Sequence, residues 1–283
     1  MRRKILPYLF LAPYLIFFLL FLGYPIVRGF YISLFDWGIF GPKGFLGLQN
    51  YISLLHEEDF WRALKNTLFF TVMYVPLMVL ISLLLAVLLK EELPGIQVFR
   101  TIFFLPIVIN VAVSAVAVGW ILDPQIGILN RILSGLHLPT QSWLSREGWA
   151  MFAVVLVAIW SGAGFNIIIF LAGLEGIAAE LYEAAKVDGA TAWQCLRYIT
   201  IPLLKPVTLL VTVLSIIGAL QVFGEIYMLT GGGPHGSTTV LAYLLYERGF
   251  TYFKFGEAAS IGVIMTLLIG LLSFIQFKLF RET

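Results

Sequence analysis

The chain has 283 residues, of which 60% are hydrophobic and 12% charged, with a formal net charge of +2. That mixture cannot clothe a surface exposed to water, so the apolar residues are expected to face lipid, and the small charge offers little to nucleic acid or an acidic substrate. A lone cysteine, Cys195, excludes an internal disulfide, and His56, His137 and His235 are too scattered to suggest a metal centre.

The chain opens on Met-Arg-Arg-Lys, followed by an apolar run from Ile5 to Leu22. The run is longer than a usual signal-peptide core and no small-x-small cleavage site follows it, which predicts an uncleaved first span. A spanning helix needs about 20 mainly apolar residues. Windows at about 7–31, 67–89, 101–122, 149–173, 207–229 and 258–280 satisfy that length. Backbone groups cannot go unpaired in hydrocarbon, so each window is expected to be helical. The fold class expected is an all-α membrane protein with six transmembrane helices, forming a single transmembrane domain over 1–283. Arg2, Arg3 and Lys4 abut the first window. Under the positive-inside rule they place the N-terminus in the cytoplasm, and six crossings return the C-terminus to the same side. Tyr8, Trp37, Trp61, Trp120, Trp149 and Tyr227 lie near window ends, as interfacial anchors do. No matching pair of interrupted helices, the mark of inverted-repeat transporters, is evident.

The outer loops at 32–65, 123–148 and 230–257 carry turn chemistry such as Gly231-Gly232-Gly233-Pro234. Glu57-Glu58-Asp59 reads as a solvated acidic turn, with a contact for basic residues of a partner as the competing role. Within the windows, Asn110, Asn166, Gln221 and Glu225 are polar. A charge at membrane depth costs about 2.5–3.5 kcal/mol on insertion scales, so Glu225 is expected to face a cavity or a partner. For the three amides an interhelical hydrogen bond competes with a solute contact. Trp160 and Phe165 could stack on a sugar ring or simply pack.

Between the fourth and fifth windows, residues 175–206 form a charged hairpin. Ile177, Leu181, Ala184 and Ala185 share one helix face, and Gly189 suits a helix C-terminus. Thr191-Ala192-Trp193-Gln194 reads as a capping box, after which Trp193, Leu196 and Ile199 give an apolar edge. Pro202 is expected to end that second helix or kink it into the next window. Patterning leaves two readings: an amphipathic hairpin on the inner leaflet, or a docking element for a cytoplasmic partner. The chain lacks G-x-x-x-x-G-K-[ST], H-E-x-x-H and G-x-S-x-G, so no cofactor, no metal and no catalytic residues of its own are expected.

Glu183-Ala184-Ala185, three residues, Gly189, nine residues, then Ile199-x-Ile201-Pro202 resembles the EAA signature of permease subunits in bacterial carbohydrate-type ABC importers. That signature runs E-A-A-x3-G, nine residues, I-x-L-P, and Ile201 stands where leucine is usual. Phe45-Leu46-Gly47-Leu48-Gln49-Asn50-Tyr51, Phe60-Trp61 with Asn66-Thr67, and Phe99-Arg100 through Pro106 are similar to other segments of that branch. Ile226-Tyr227 through Gly233-Pro234 looks like the loop of its maltose- and glycerol-phosphate-type first permeases, in a compact six-span version without their extra outer domain.

The resemblance implies a type I ABC importer permease fold in the bacterial cytoplasmic (inner) membrane, transporting a sugar or sugar-like solute. It implies four kinds of partner: a second permease subunit in a heterodimer, a dimer of ATP-binding subunits that holds the ATP, an extracytoplasmic solute-binding protein, and the lipid bilayer. Nucleic acid is not among them. Glu183, Ala184, Ala185, Gly189, Ile199 and Pro202 would form the ATPase-coupling contact. Asn110, Trp160, Asn166, Gln221 and Glu225 are the candidates for the substrate path. A stand-alone secondary transporter or channel is the alternative. A membrane-embedded enzyme is disfavoured by the lack of convergent acids, bases or metal ligands.

Overall fold

A computed structural model describes residues 2–90 and 95–281. The chain starts with α1 (Arg2–Phe18), which passes through a widened π turn at Leu19–Gly23 into α2 (Tyr24–Ser33). Pro25 lies two residues beyond that turn and has no N–H to give. Widening the helix there carries the hydrogen-bond register past the missing donor. The side chains of Arg2, Arg3, Lys4 and Tyr8 lie outside the described residues.

β1 (Phe35–Gly38) and β2 (Gly41–Phe45) then pair antiparallel, Phe35 opposite Phe45, with a bulge between Asp36 and Trp37. This hairpin corrects the purely α expectation. Its cross-strand aromatic pair, with Phe35 and Phe45 centroids 5.2 Å apart, is the contact that favours a strand pair over a loop. After it come α3 (Gln49–His56), α4 (Glu58–Lys90), α5 (Ile96–Val108), α6 (Val111–Ile121), α7 (Ile128–Gly135) and α8 (Trp149–Glu175). The chain continues with α9 (Ala179–Val187), α10 (Ala192–Cys195), α11 (Ile201–Leu203), α12 (Lys205–Leu220), α13 (Gly224–Leu229), α14 (Leu241–Tyr246) and α15 (Phe255–Arg281).

Four helical stretches are long and apolar enough to cross a membrane: Phe10–Ser33, Glu58–Lys90, Trp149–Glu175 and Phe255–Gln276. Two further pairs qualify only if each is taken as one bent crossing. α5 and α6 meet at 109°, and Ala192–Leu203 meets Lys205–Leu220 at 68°. The windows at 101–122 and 207–229 are therefore not straight helices. The first breaks where Ile109 turns extended and Asn110 caps α6, its side chain accepting from Ala112 N at 2.8 Å. The second stops at Leu220 and restarts at Gly224. Interrupted helices, which the sequence does not announce, are thus present.

Two compact units divide the chain. One combines the chain up to Trp61 with Leu244–Leu268. There Asn50 Nδ2 donates to Ser33 O at 2.8 Å and Phe35 O at 2.9 Å, and Ser260 Oγ donates to Ser33 O at 3.2 Å. Arg248 lies between Glu57 at 2.6 Å and Glu257 at 3.3 Å, and Lys254 reaches Glu257 at 2.8 Å. The solvated-turn expectation for Glu57 is corrected by that pair, which joins residues far apart in sequence. Glu58 and Asp59 occupy the first turn of α4, where the helix dipole favours negative charge.

The other unit combines Arg62–Tyr243 with the chain from Ile269. α8 is its centre, packing against α5, α6, α12 and α13. Phe70, Met78, Val154, Ile167, Phe170 and Leu174 are all buried in one cluster. Lipid is as apolar as leucine, so close packing and polar bonds hold such a bundle rather than hydrophobic burial. Gly164 permits the approach of α5, because a Cβ there would sit 2.6 Å from Phe103 O. Arg100 donates to Leu89 O at 2.8 and 3.3 Å, and Lys90 Nζ to Leu174 O at 3.1 Å, which satisfies carbonyls at the C-terminal ends of α4 and α8. Asn66 Nδ2 donates to Gly236 O and Thr239 O, both at 2.9 Å, and Thr67 Oγ1 accepts from Leu241 N at 2.9 Å. The loop after α13 is thereby fastened to α4.

Candidate functional site

Both helix interruptions open on one cavity of about 490 Å³. Ile109 and Val111 line it from the first break, and Gln221 to Glu225 from the second. Tyr74 of α4 and Ser161 of α8 complete its polar lining. Gly224 lets α13 approach α6, since a Cβ there would fall 2.9 Å from Val111 Cγ1. Non-helical backbone at membrane depth is tolerated where it lines such a space. Phe70 stacks on Tyr74 with centroids 5.3 Å apart, and Phe223 on Tyr227 at 5.4 Å. Aromatic faces beside a hydroxyl, an amide and a carboxylate suit a polyhydroxylated solute. Its C–H faces can lie on the rings while its hydroxyls donate to the side-chain oxygens.

Of the five candidate path residues, Gln221 and Glu225 meet in this cavity. Asn110 stands at the first break, with its side chain engaged as the cap of α6. Asn166 is buried on α8; its Nδ2 donates to Gly162 O at 3.4 Å, and its Oδ1 has no hydrogen-bond partner among the described residues. Trp160 lines a separate, apolar cavity of about 200 Å³ with Trp143 and Phe152. Tyr74 and Ser161 escape the sequence reading. Both are polar groups inside apolar windows, the same signal that picks out Asn166 and Gln221.

The hairpin follows local chemistry closely. Asp188 caps α9 and Gly189 follows it with a left-handed φ of +78°, Ala190 N donating to Ala185 O at 2.9 Å. Thr191 Oγ1 accepts from Gln194 N at 3.3 Å while Gln194 Oε1 accepts from Thr191 N at 2.7 Å, the reciprocal box that starts α10. A second π turn, Leu196–Thr200, then precedes Pro202. Pro202 therefore neither ends nor bends the helix: the widened turn accommodates it. The bend comes at Leu204, ahead of Pro206 in the first turn of α12.

The inward face of the hairpin also differs from the expected stripe. Tyr182, Ala185, Cys195 and Thr200 point inward, whereas Leu181 and Ala184 are exposed. The Tyr182 and Thr200 hydroxyls share a 2.9 Å hydrogen bond between the two arms, and the Lys90 ammonium sits 4.9 Å from the Tyr182 ring centroid. That polar brace, rather than apolar burial, sets which side turns in. Glu183, Ala184 and Gly189 are left on the outside beside Val187, 87% exposed, and Trp193, 65% exposed. Ile199 is half-buried and Pro202 exposed.

The pattern of the family described as "Binding-protein-dependent transport system inner membrane component" matches residues 51–282. The chain belongs to that family. The permease is 39% identical to the probable ABC transporter permease protein YurN of Bacillus subtilis (strain 168), over 99% of this chain and 97% of the relative. It is 37% identical to the arabinooligosaccharides transport system permease protein AraP of the same organism, over 98% and 89%. Its fold is similar to that of a chain in a bacterial ABC transporter involved in the import of the acidic polysaccharide alginate. The TM-score is 0.88 at 28% identity, covering 99% of this chain and 96% of the other. The same values relate it to that transporter in complex with an alginate pentasaccharide-bound periplasmic protein. The permease is thus a subunit of an ABC importer with the type I permease fold, and ATP hydrolysis belongs to a separate subunit. Family membership sets aside the stand-alone transporter or channel.

Proposed function

We propose that the permease carries a sugar or sugar-like solute across the cytoplasmic (inner) membrane in six crossings, with each bent pair counted as one and both termini in the cytoplasm. The names of AraP and of the alginate transporter support the solute class. The single transmembrane domain presents residues 175–206 to a separate ATPase. Glu183, Ala184, Ala185, Gly189, Ile199 and Pro202 are the coupling contact. The observation that carries this assignment is the outward face of the hairpin, where Leu181, Ala184, Val187 and Trp193 are exposed. Gln221 and Glu225 touch solute in the cavity; Asn110, Trp160 and Asn166 belong to the same path outside that cavity, Asn110 as the cap of α6 and Trp160 in the neighbouring apolar cavity.

The partners are a second permease, an ATP-binding dimer and an extracytoplasmic solute-binding protein; the periplasmic protein seen with the alginate transporter supports the last. ATP closes the two nucleotide-binding subunits and moves the hairpins with them. Transport then requires that ATP and solute favour different states of the bundle. The test is ATPase activity and sugar uptake of the reconstituted complex, with and without loaded binding protein, in wild type and Gly189→Asp, with assembly checked by co-purification. The variant is expected to assemble and lose stimulated hydrolysis and uptake. Normal uptake in an assembled variant would remove the hairpin from the coupling mechanism.

A further inference from the structure

We propose that Glu225 makes this half of the path selective by charge, admitting neutral or cationic solutes and turning away polyanions such as uronate chains. The inference rests on reading the cavity as the solute path. Among the described residues that line the cavity, Glu225 is the one charged side chain; Tyr74, Ser161 and Gln221 are neutral and the remaining wall is apolar or aromatic. No cation lines the cavity beside it among those residues. Low-dielectric walls focus the field of a single fixed charge along such a space, so a carboxylate here acts over the whole cavity and not only at contact.

The alginate transporter gives the contrast, because its solute is an acidic polysaccharide although the two folds agree at a TM-score of 0.88. A uronate chain entering this cavity would bring like charges against a carboxylate with no counter-ion among the described lining residues. A neutral oligosaccharide would instead donate its hydroxyls to the same oxygens. In this permease the Glu225 side chain, and not the backbone it shares with the alginate transporter, would set the choice between the two solute classes.

The experiment uses the full-length permease in its assembled importer, with Cys195→Ser removing the native thiol and Ser161→Cys placing one in the cavity wall. The reaction rates of the introduced thiol are measured with cationic, neutral and anionic methanethiosulfonate reagents of similar size, with Glu225 present and in Glu225→Gln. The cationic reagent is expected to outpace the anionic one by about tenfold relative to their rates with free thiol, and the ratio to collapse towards one in Glu225→Gln. Glu225→Asp should keep most of the ratio, which separates charge from packing. An unchanged ratio in Glu225→Gln overturns the proposal. So does an introduced thiol that no reagent reaches, because a carboxylate that solutes cannot approach cannot select among them. Protection of the introduced thiol by a neutral oligosaccharide, added with the loaded binding protein, reports separately on the solute-path reading. Protection with an unchanged ratio defeats the charge inference alone, and a shifted ratio without protection defeats the path reading.

Discussion

The loop after α13 and the hairpin between α8 and α12 are both built on left-handed glycines, yet they treat their surroundings in opposite ways. In the loop, Gly232 has a φ of +82° and a Cβ there would lie 2.6 Å from Thr239 Oγ1. Asn66 and Thr67 bond to Gly236, Thr239 and Leu241, and the Thr230 and Thr238 hydroxyls bond to each other at 2.7 Å. In the hairpin, Gly189 has a φ of +78° with nothing within 4 Å of the same position, and the neighbouring apolar residues face outward. The loop turns its glycine corner against the chain and is fastened there, whereas the hairpin is braced on its inner side by Tyr182 and Thr200 and leaves its glycine corner open, as the proposed docking role requires.

Exchanging glycine for alanine at the two turns tests this contrast most severely. Gly232→Ala combines the left-handed penalty with a collision against Thr239 and Tyr243, and should cost about 3 kcal/mol. Gly189→Ala meets only the backbone penalty, about 1 kcal/mol. Thermal unfolding of the purified permease in detergent measures both, and equal losses would erase the distinction. Asn66→Ala comes next. It leaves the Gly236 and Thr239 carbonyls without their donor and should cost about 2 kcal/mol, while Glu183→Ala on the hairpin stays within about 0.5 kcal/mol. A Glu183→Ala loss as large as that of Asn66→Ala would mean that the hairpin is also built for internal support. Thr191→Ala is a smaller change than Asn66→Ala. It removes the capping box for about 1 kcal/mol, and restoration of stability by Thr191→Ser but not by Thr191→Val would assign the effect to the hydroxyl.

The parts legible in the sequence are those fixed within a few residues. Gly189 and the Thr191–Gln194 box follow from local hydrogen-bond geometry, and both stand where the sequence places them. The long apolar helices announce themselves by composition. The breaks at Ile109–Asn110 and Gln221–Phe223 do not, because their windows are so largely apolar. Pro106 lies inside α5, three residues before its break, and the second break is bordered only by Gly218 and Gly224, residues that spanning helices tolerate. The cavity is hidden for the same reason, although half of its polar lining, Gln221 and Glu225, is picked out by polarity alone. The role of Glu57 is not legible because its partner Arg248 is 191 residues away, beyond any local pattern. The course of the chain at Pro202 is equally hidden, because a proline signal cannot reveal the π turn that accommodates it.

The clamp between Asn66 and Thr239 spans 173 residues. A ribosome adds roughly 5–20 residues per second, so the amide of Asn66 exists for about nine to thirty-five seconds before its acceptors have been made. Throughout that interval the loop that Asn66 will hold is still inside the ribosome or not yet translated. This fastening is therefore an event of late biosynthesis, and a nascent chain truncated before Leu241 should expose the Asn66 region to protease, whereas the full-length chain should not.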